Sequence, residues 1–108
     1  METWRPFDSG SSVGAVGSEG GRIVLDEQHP GGARITIERG GHTAPFSITC
    51  GVYGWMVHTR FFTTEAEARD ECAAMKTALS DLVVTLNGTE GDIEAAGAMC
   101  ARFVERFP

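Results

Sequence analysis

The residues best suited to chemistry are His58 and Arg60, which alternate along a stretch that reads as a β-strand. If a two-residue turn joins this stretch to the preceding one, Thr49 lies directly opposite His58. A histidine held on a strand can serve as a general base, or bind an anion together with Arg60. Tyr53 lies in the adjacent turn. These four residues define a candidate small-ligand site, whose plainer interpretation is an exposed histidine on a solvated face.

Cysteine chemistry is a weaker interpretation. Cys50 falls on the face that we predict to be buried, where a thiol behaves as a small hydrophobic group. His58 points to the opposite face in the same register, so a Cys50–His58 pair is geometrically disfavoured. Cys72 and Cys100 fall on the apolar stripes of predicted helices. We therefore assign no catalytic residue and expect no cofactor.

The sequence has no recognisable metal or nucleotide motif. His29, His42 and His58 are widely spaced, without the short His or Cys spacings of metal sites. Glycines recur every three positions within residues 14–20, as in some phosphate-binding loops, but the following RIVLDE reads as a strand rather than a helix. We expect no metal ion, and we favour a protein that is not an enzyme.

Composition limits the class of protein. The 108 residues suit one domain, and the hydrophobic content of 42% is ordinary for a globular chain. A net charge of -6 argues against nucleic acid or an anionic membrane surface as the main partner. No apolar run approaches the roughly 20 residues of a membrane span. With no signal-peptide pattern and three well-separated cysteines, we expect a soluble cytoplasmic protein with free thiols.

The stretch from Ala44 to Phe62 predicts a β-hairpin around Tyr53 and Gly54, because apolar and polar residues alternate on both arms. A two-residue turn and a four-residue loop give different partners but the same faces. The predicted inner face holds Phe46, Ile48, Cys50, Val52, Trp55, Val57 and Phe61. The predicted outer face of the second arm holds Met56, His58, Arg60 and Phe62.

Two further alternating runs precede the hairpin, at residues 22–27 and 33–38. Pairing Leu25 with Ile35, and Ile35 with Ile48, continues the inner face across all four strands. The result is a four-stranded antiparallel meander. Its first two strands contribute Ile23, Leu25, Ala33, Ile35 and Ile37 to the inner face.

Two amphipathic helices follow and would cover the inner face. Thr64 and Glu67 have the spacing of a capping box, and apolar residues then recur every three or four positions as far as Asn87 and Gly88. A second helix opens near Thr89 to Asp92. This order predicts an α+β two-layer sandwich, ββββαα, with both helices on one face of the sheet.

The Gly- and Ser-rich segment 1–21 stands apart from the single α+β domain that we assign to residues 22–108. We expect the segment to be irregular or docked on the body. It carries Trp4 and Phe7, and large aromatic side chains are rarely left in water. Its tip is therefore predicted to dock on the body or on a second subunit.

The outer face of the sheet is the predicted functional surface, because a mixture of Arg, Met and aromatic residues is typical of protein interfaces. We hypothesise a small intracellular binding or assembly module that acts through this face or an edge strand. Its expected partner is a second copy or another protein. The alternative is a small-ligand-binding protein or an enzyme, with a site around His58, Arg60, Thr49 and Tyr53. We expect neither nucleic acid nor a membrane as partner.

Overall fold

A computed structural model describes residues 3–89 and 91–108 of the chain. One antiparallel sheet has the strand order β1-β2-β3-β4-β5, which is also the order along the chain. The strands are β1 (Arg5–Pro6), β2 (Arg22–His29), β3 (Ala33–Arg39), β4 (Phe46–Val52) and β5 (Met56–Phe62). The helices are α1 (Glu65–Asn87) and α2 (Ile93–Arg106). The predicted α+β architecture is confirmed, with five strands rather than four, since Arg5 and Pro6 pair with Gln28 and Glu27 of β2.

The helices begin at polar caps. Thr64 accepts a hydrogen bond from the Glu67 backbone N–H at 3.2 Å, as the capping spacing predicts. Asp92 accepts one in the same way from the Ala95 N–H at 3.0 Å. Within the described ranges, neither helix is long and apolar enough to cross a membrane.

The core lies between the sheet and α1. On the sheet side, Ile35, Ile37 and Ile48 are fully buried, and they belong to one cluster with Met75 and Leu79 of α1. Burying each of these side chains stabilises the fold by roughly 2–3 kcal/mol. α2 packs on α1 and closes the layer with its own buried residues, Ala96, Cys100 and Phe103.

The registers among β2, β3 and β4 keep the predicted faces but not the predicted partners. Leu25 pairs with Ile37 and Ile35 pairs with Cys50, a shift of two residues in each case. A two-residue shift conserves faces because side chains alternate with a period of two. Ile23 is the exception. A bulge between Ile23 and Leu25 places Ile23 opposite Glu38, on the face that the helices do not cover.

The β4–β5 hairpin has a three-residue loop, which overturns the predicted faces of β5. Val52 pairs with Met56, and the Trp55 N–H donates to the Val52 carbonyl at 2.9 Å. Both predicted loops had an even number of residues, and an odd number reverses the faces of the second strand. Gly54 allows this closure with φ +83°. The helix-facing residues of β5 are Met56, His58, Arg60 and Phe62, and the opposite face carries Val57, Thr59 and Phe61.

The N-terminal segment docks on the body of its own chain, which is one of the two predicted alternatives. Trp4 is buried against the ring of His29, and its indole Nε1–H donates to Ser80 Oγ at 3.1 Å. Further along, the Gly14 N–H donates to the Ile23 carbonyl at 2.8 Å. The segment therefore covers much of the outer edge of β2.

Candidate functional site

The structure divides the predicted four-residue site between two faces. His58 and Arg60 lie on the helix-facing side of β5, whereas Thr49 lies on the open side of β4. Thr49 pairs with Thr59 instead of His58, and their hydroxyl oxygens are 3.2 Å apart. Tyr53 lies in the hairpin loop and is exposed. These four side chains therefore do not converge on one cavity.

His58 and Arg60 connect β5 to the C-terminal residues. His58 Nε2 lies 2.5 Å from the Phe107 carbonyl oxygen, so this nitrogen carries the proton that it donates. Arg60 donates to the Pro108 carbonyl at 3.1 Å and to the Glu71 carboxylate at 2.8 Å. These bonds give both residues a structural role in fastening the helical layer to the edge of the sheet.

Cys50 lies directly opposite His58 on the same face, so our geometrical objection to this pair was wrong. The pair nevertheless lacks the features of a nucleophile and its base. Burial raises the pKa of the Cys50 thiol to about 12, which keeps it protonated near neutral pH. His58 Nε2 is committed to the Phe107 carbonyl.

An ion pair lies on the open face of the sheet. The Arg34 guanidinium donates two bonds to Asp26, at 2.9 and 2.6 Å, and the Thr36 hydroxyl donates a third at 3.0 Å. Burial disfavours the charged carboxylate, but these hydrogen bonds outweigh it and hold the pKa of Asp26 below its usual range. The Phe7 ring covers Arg34, with the guanidinium carbon 3.5 Å from the ring centroid.

Glu38 is a second buried acid, held by backbone amides. Its carboxylate accepts hydrogen bonds from the Glu19 N–H at 3.2 Å and from the Gly21 N–H at 3.0 Å. Gly17 lies against the same carboxylate, where a Cβ atom would collide with it. These contacts fix the segment around residues 17–21 above β3, over one end of the open face.

A groove of about 730 Å³ runs between this segment and the β4–β5 hairpin. Its walls include Val16, Ile23, Trp55 and Val57, and its floor includes Thr36 and Thr49. The N-terminal segment forms one side of the groove, so the open face is not a flat sheet surface.

Four large side chains of the hairpin are exposed, and we name them the hairpin patch: Tyr53, Trp55, Val57 and Phe61. Their exposed fractions are 59%, 44%, 78% and 44%. An aromatic side chain has roughly 150–250 Å² of surface, so the patch exposes on the order of 400 Å². This is the size of the largest apolar patch on many monomers, and such patches are often functional. The alternation pattern predicts Trp55, Val57 and Phe61 in the core. They are exposed because the three-residue hairpin loop reverses the faces of β5.

β5 is an edge strand with little protection. It pairs with β4 on one side, and on its other side the described part of the chain supplies no backbone hydrogen bond. Its sequence, MVHTRFF, contains neither Pro nor Lys, and its pairing with β4 has no bulge. The opposite edge differs, because β2 is covered by a short strand containing Pro6 and by contacts from Gly14 and Ala15.

No metal centre is formed by the described residues, since no three His, Cys, Asp or Glu side chains among them are grouped as a metal ion requires. Comparisons of the chain with protein-family models, curated proteins and solved structures found no match.

Proposed function

We propose that the protein is a small intracellular binding and assembly module that forms a homodimer through the hairpin patch and the edge of β5. The observation that carries this proposal is the coincidence of the two features on one strand. Val57 and Phe61 expose apolar surface beside a free row of backbone donors and acceptors. An unprotected edge strand is a template for pairing with another chain.

The absence of charged side chains in the hairpin patch favours association at this surface. The chain carries a net charge of -6, which opposes the approach of two copies. The hairpin patch and Thr59 contribute no charge at neutral pH, so contact there adds no local repulsion. The three cysteines are free and buried, which suits the reducing interior of a cell. An intracellular location, in the cytoplasm, is part of the proposal.

The first test is the mass of the protein in solution. Sedimentation equilibrium should give a dimer mass at about 100 μM, within the range of modest affinities. Val57→Lys should shift the protein to monomer, because it removes apolar contact surface, and a lysine on an edge strand opposes pairing with another strand. Val84→Lys is the matched control, since Val84 is 67% exposed on α1 and distant in sequence from β5.

The result that would overturn the proposal is a monomer mass for the unmodified protein at this concentration. Equal dimerisation of the Val57→Lys and Val84→Lys variants would also contradict it, because the interface would then lie away from the hairpin patch. Circular dichroism of both variants establishes that they are folded before their masses are compared.

A further inference from the structure

We infer that the two copies join edge to edge, with β5 antiparallel to β5 about a two-fold axis through Thr59. This inference rests on the proposed homodimer and names the segment of the second copy that β5 binds. The two five-stranded sheets would then form one continuous ten-stranded sheet. The helices of both copies would lie on the same side of it.

The seven residues of β5 are complementary to themselves when Thr59 is the centre. The pairs across the axis are then Met56–Phe62, Val57–Phe61, His58–Arg60 and Thr59–Thr59. A β-branched residue opposite an aromatic one, and Thr opposite Thr, are stabilising cross-strand pairs. Each pair also places its two side chains on the same face of the joined sheet. Met56 and Phe62 lie on the helix side, and Val57 and Phe61 lie on the open side.

Neighbouring registers fit less well. Centring the axis on Arg60 places two guanidinium groups directly opposite each other, which is destabilising. Centring it on His58 places Met56 opposite Arg60, and it sets Phe61 against Trp55, which lies in the hairpin loop outside β5. Any register that pairs odd with even positions sets an inward side chain against an outward one, so it breaks the apolar layer.

The inward charges of β5 do not block this pairing. Inward-pointing charged residues often protect an edge strand. Here Arg60 is neutralised by Glu71 at 2.8 Å, and its side chain is only 11% exposed. His58 is bonded to the Phe107 carbonyl. Both side chains are therefore satisfied within their own copy.

Stacking of the two open faces is less compatible with the fold. Packed sheets approach to about 10 Å. The segment around residues 17–21 lies above β3, where its amides bind Glu38, and it occupies part of that space. At the free edge of β5, by contrast, the described residues form no backbone–backbone hydrogen bond with the strand.

Engineered cysteines test this geometry. Residues opposite each other on antiparallel strands have Cα atoms about 4.5–5.5 Å apart, within the range of a disulfide. Thr59→Cys should therefore form a covalent dimer under mild oxidation, seen on a non-reducing gel. Val57→Cys should not do so alone, since two Val57 positions would be about 13 Å apart across four residues. A mixture of the Val57→Cys and Phe61→Cys variants should cross-link.

Controls separate this inference from the proposed function. The unmodified protein and Val84→Cys, which is exposed on α1, should give no covalent dimer. If the protein sediments as a dimer but Thr59→Cys does not cross-link, the edge-to-edge geometry is wrong while the homodimer stands. Cross-linking of Val57→Cys alone would instead indicate stacked faces. A monomeric unmodified protein would remove the homodimer itself.

Hydrogen exchange provides a readout that needs no substitution. The β5 amides that point to the free edge should become protected as the concentration of the unmodified protein rises through the dimerisation range. The β3 amides are already paired on both sides and should show no such dependence. Protection of β5 that is independent of concentration in a sedimenting dimer would overturn the edge-to-edge geometry.

Discussion

Asp26 and Glu38 show two ways of burying a carboxylate on one face of a sheet. Asp26 is bonded to a guanidinium group and a hydroxyl, whereas Glu38 is bonded to backbone amides of a neighbouring segment. Both positions look solvent-exposed in the sequence, because they alternate with apolar residues on their strands. Their burial depends on the N-terminal segment, whose irregular sequence gives no periodic pattern from which to predict where it folds.

Replacing Asp26 tests the ion pair. Asp26→Asn should lower the free energy of unfolding by about 2–3 kcal/mol, because it weakens the bonds from Arg34 and Thr36 and leaves a guanidinium group without its counter-ion. This loss of stability lies at the low end of the range for breaking a buried ion pair, because the Arg34 side chain is 35% exposed and still contacts water. Urea denaturation measures the change. Asp81→Asn, at an exposed acid of α1, should change stability by less than about 0.5 kcal/mol.

Asp26 should also make the stability of the folded protein depend on pH. The pKa of Asp26 is lower in the folded protein than in the unfolded chain, so the native state binds fewer protons in acid. The stabilisation is therefore fully present above the unfolded pKa of about 3.9 and is lost as the pH falls through the folded value. The unmodified protein should lose more stability below about pH 4 than Asp26→Asn does. Equal acid sensitivity of the two proteins would contradict this assignment.

At the scale of elements, the alternation pattern was enough to predict four strands, two helices and the faces of β3 and β4. It was not enough for β5. The faces of the second arm of a hairpin depend on whether its loop has an odd or an even number of residues. Tyr53, Gly54 and Trp55 fit either case, because an aromatic residue suits both a strand and a loop. The inward positions of His58 and Arg60 also require partners from the C-terminal residues, which are 49 and 48 positions away.

The N-terminal strand was missed for a different reason. β1 has only two residues, one of which is a proline, so no alternation is visible. Its position follows instead from the burial of Trp4. The sequence predicted docking on the body or on a second subunit, and it did not predict the pairing with β2.

The attachment of the N-terminal segment can be tested through Glu38. Glu38→Gln should destabilise the protein by about 1–2 kcal/mol, because an amide nitrogen would replace one oxygen that accepts from the backbone. Hydrogen exchange at the amides of Glu19 and Gly21 should accelerate at least tenfold, by local release of the segment. Glu19→Gln is the control, since the Glu19 backbone rather than its side chain makes this contact. If the two variants exchange alike, the carboxylate of Glu38 does not fix the segment.

In the molecule as a whole, the reactivity of the three cysteines shows whether the sheet and the two helices separate together or in steps. Cys50 on β4 and Cys72 on α1 both lie in the sheet–helix core, and burial raises their pKa values to about 12 and about 11. Cys100 belongs to the same buried cluster but lies on α2, which packs mainly on α1, and burial also raises its pKa. We therefore expect α2 to open locally without opening the sheet, whereas exposure of the other two thiols requires the sheet and α1 to separate.

Thiol labelling at pH 8, followed by peptide mapping, should show this hierarchy. Cys50 and Cys72 should react at the rate of global unfolding, and Cys100 at least tenfold faster through local opening. Arg60→Gln removes the hydrogen bonds to Glu71 and Pro108, so it should increase the labelling rate of Cys100 further. The control is Arg69→Gln, at an exposed arginine of α1, which should leave the labelling rate of Cys100 unchanged. One common rate for all three thiols would mean that α2 unfolds only with the sheet, so that the two layers form a single cooperative unit.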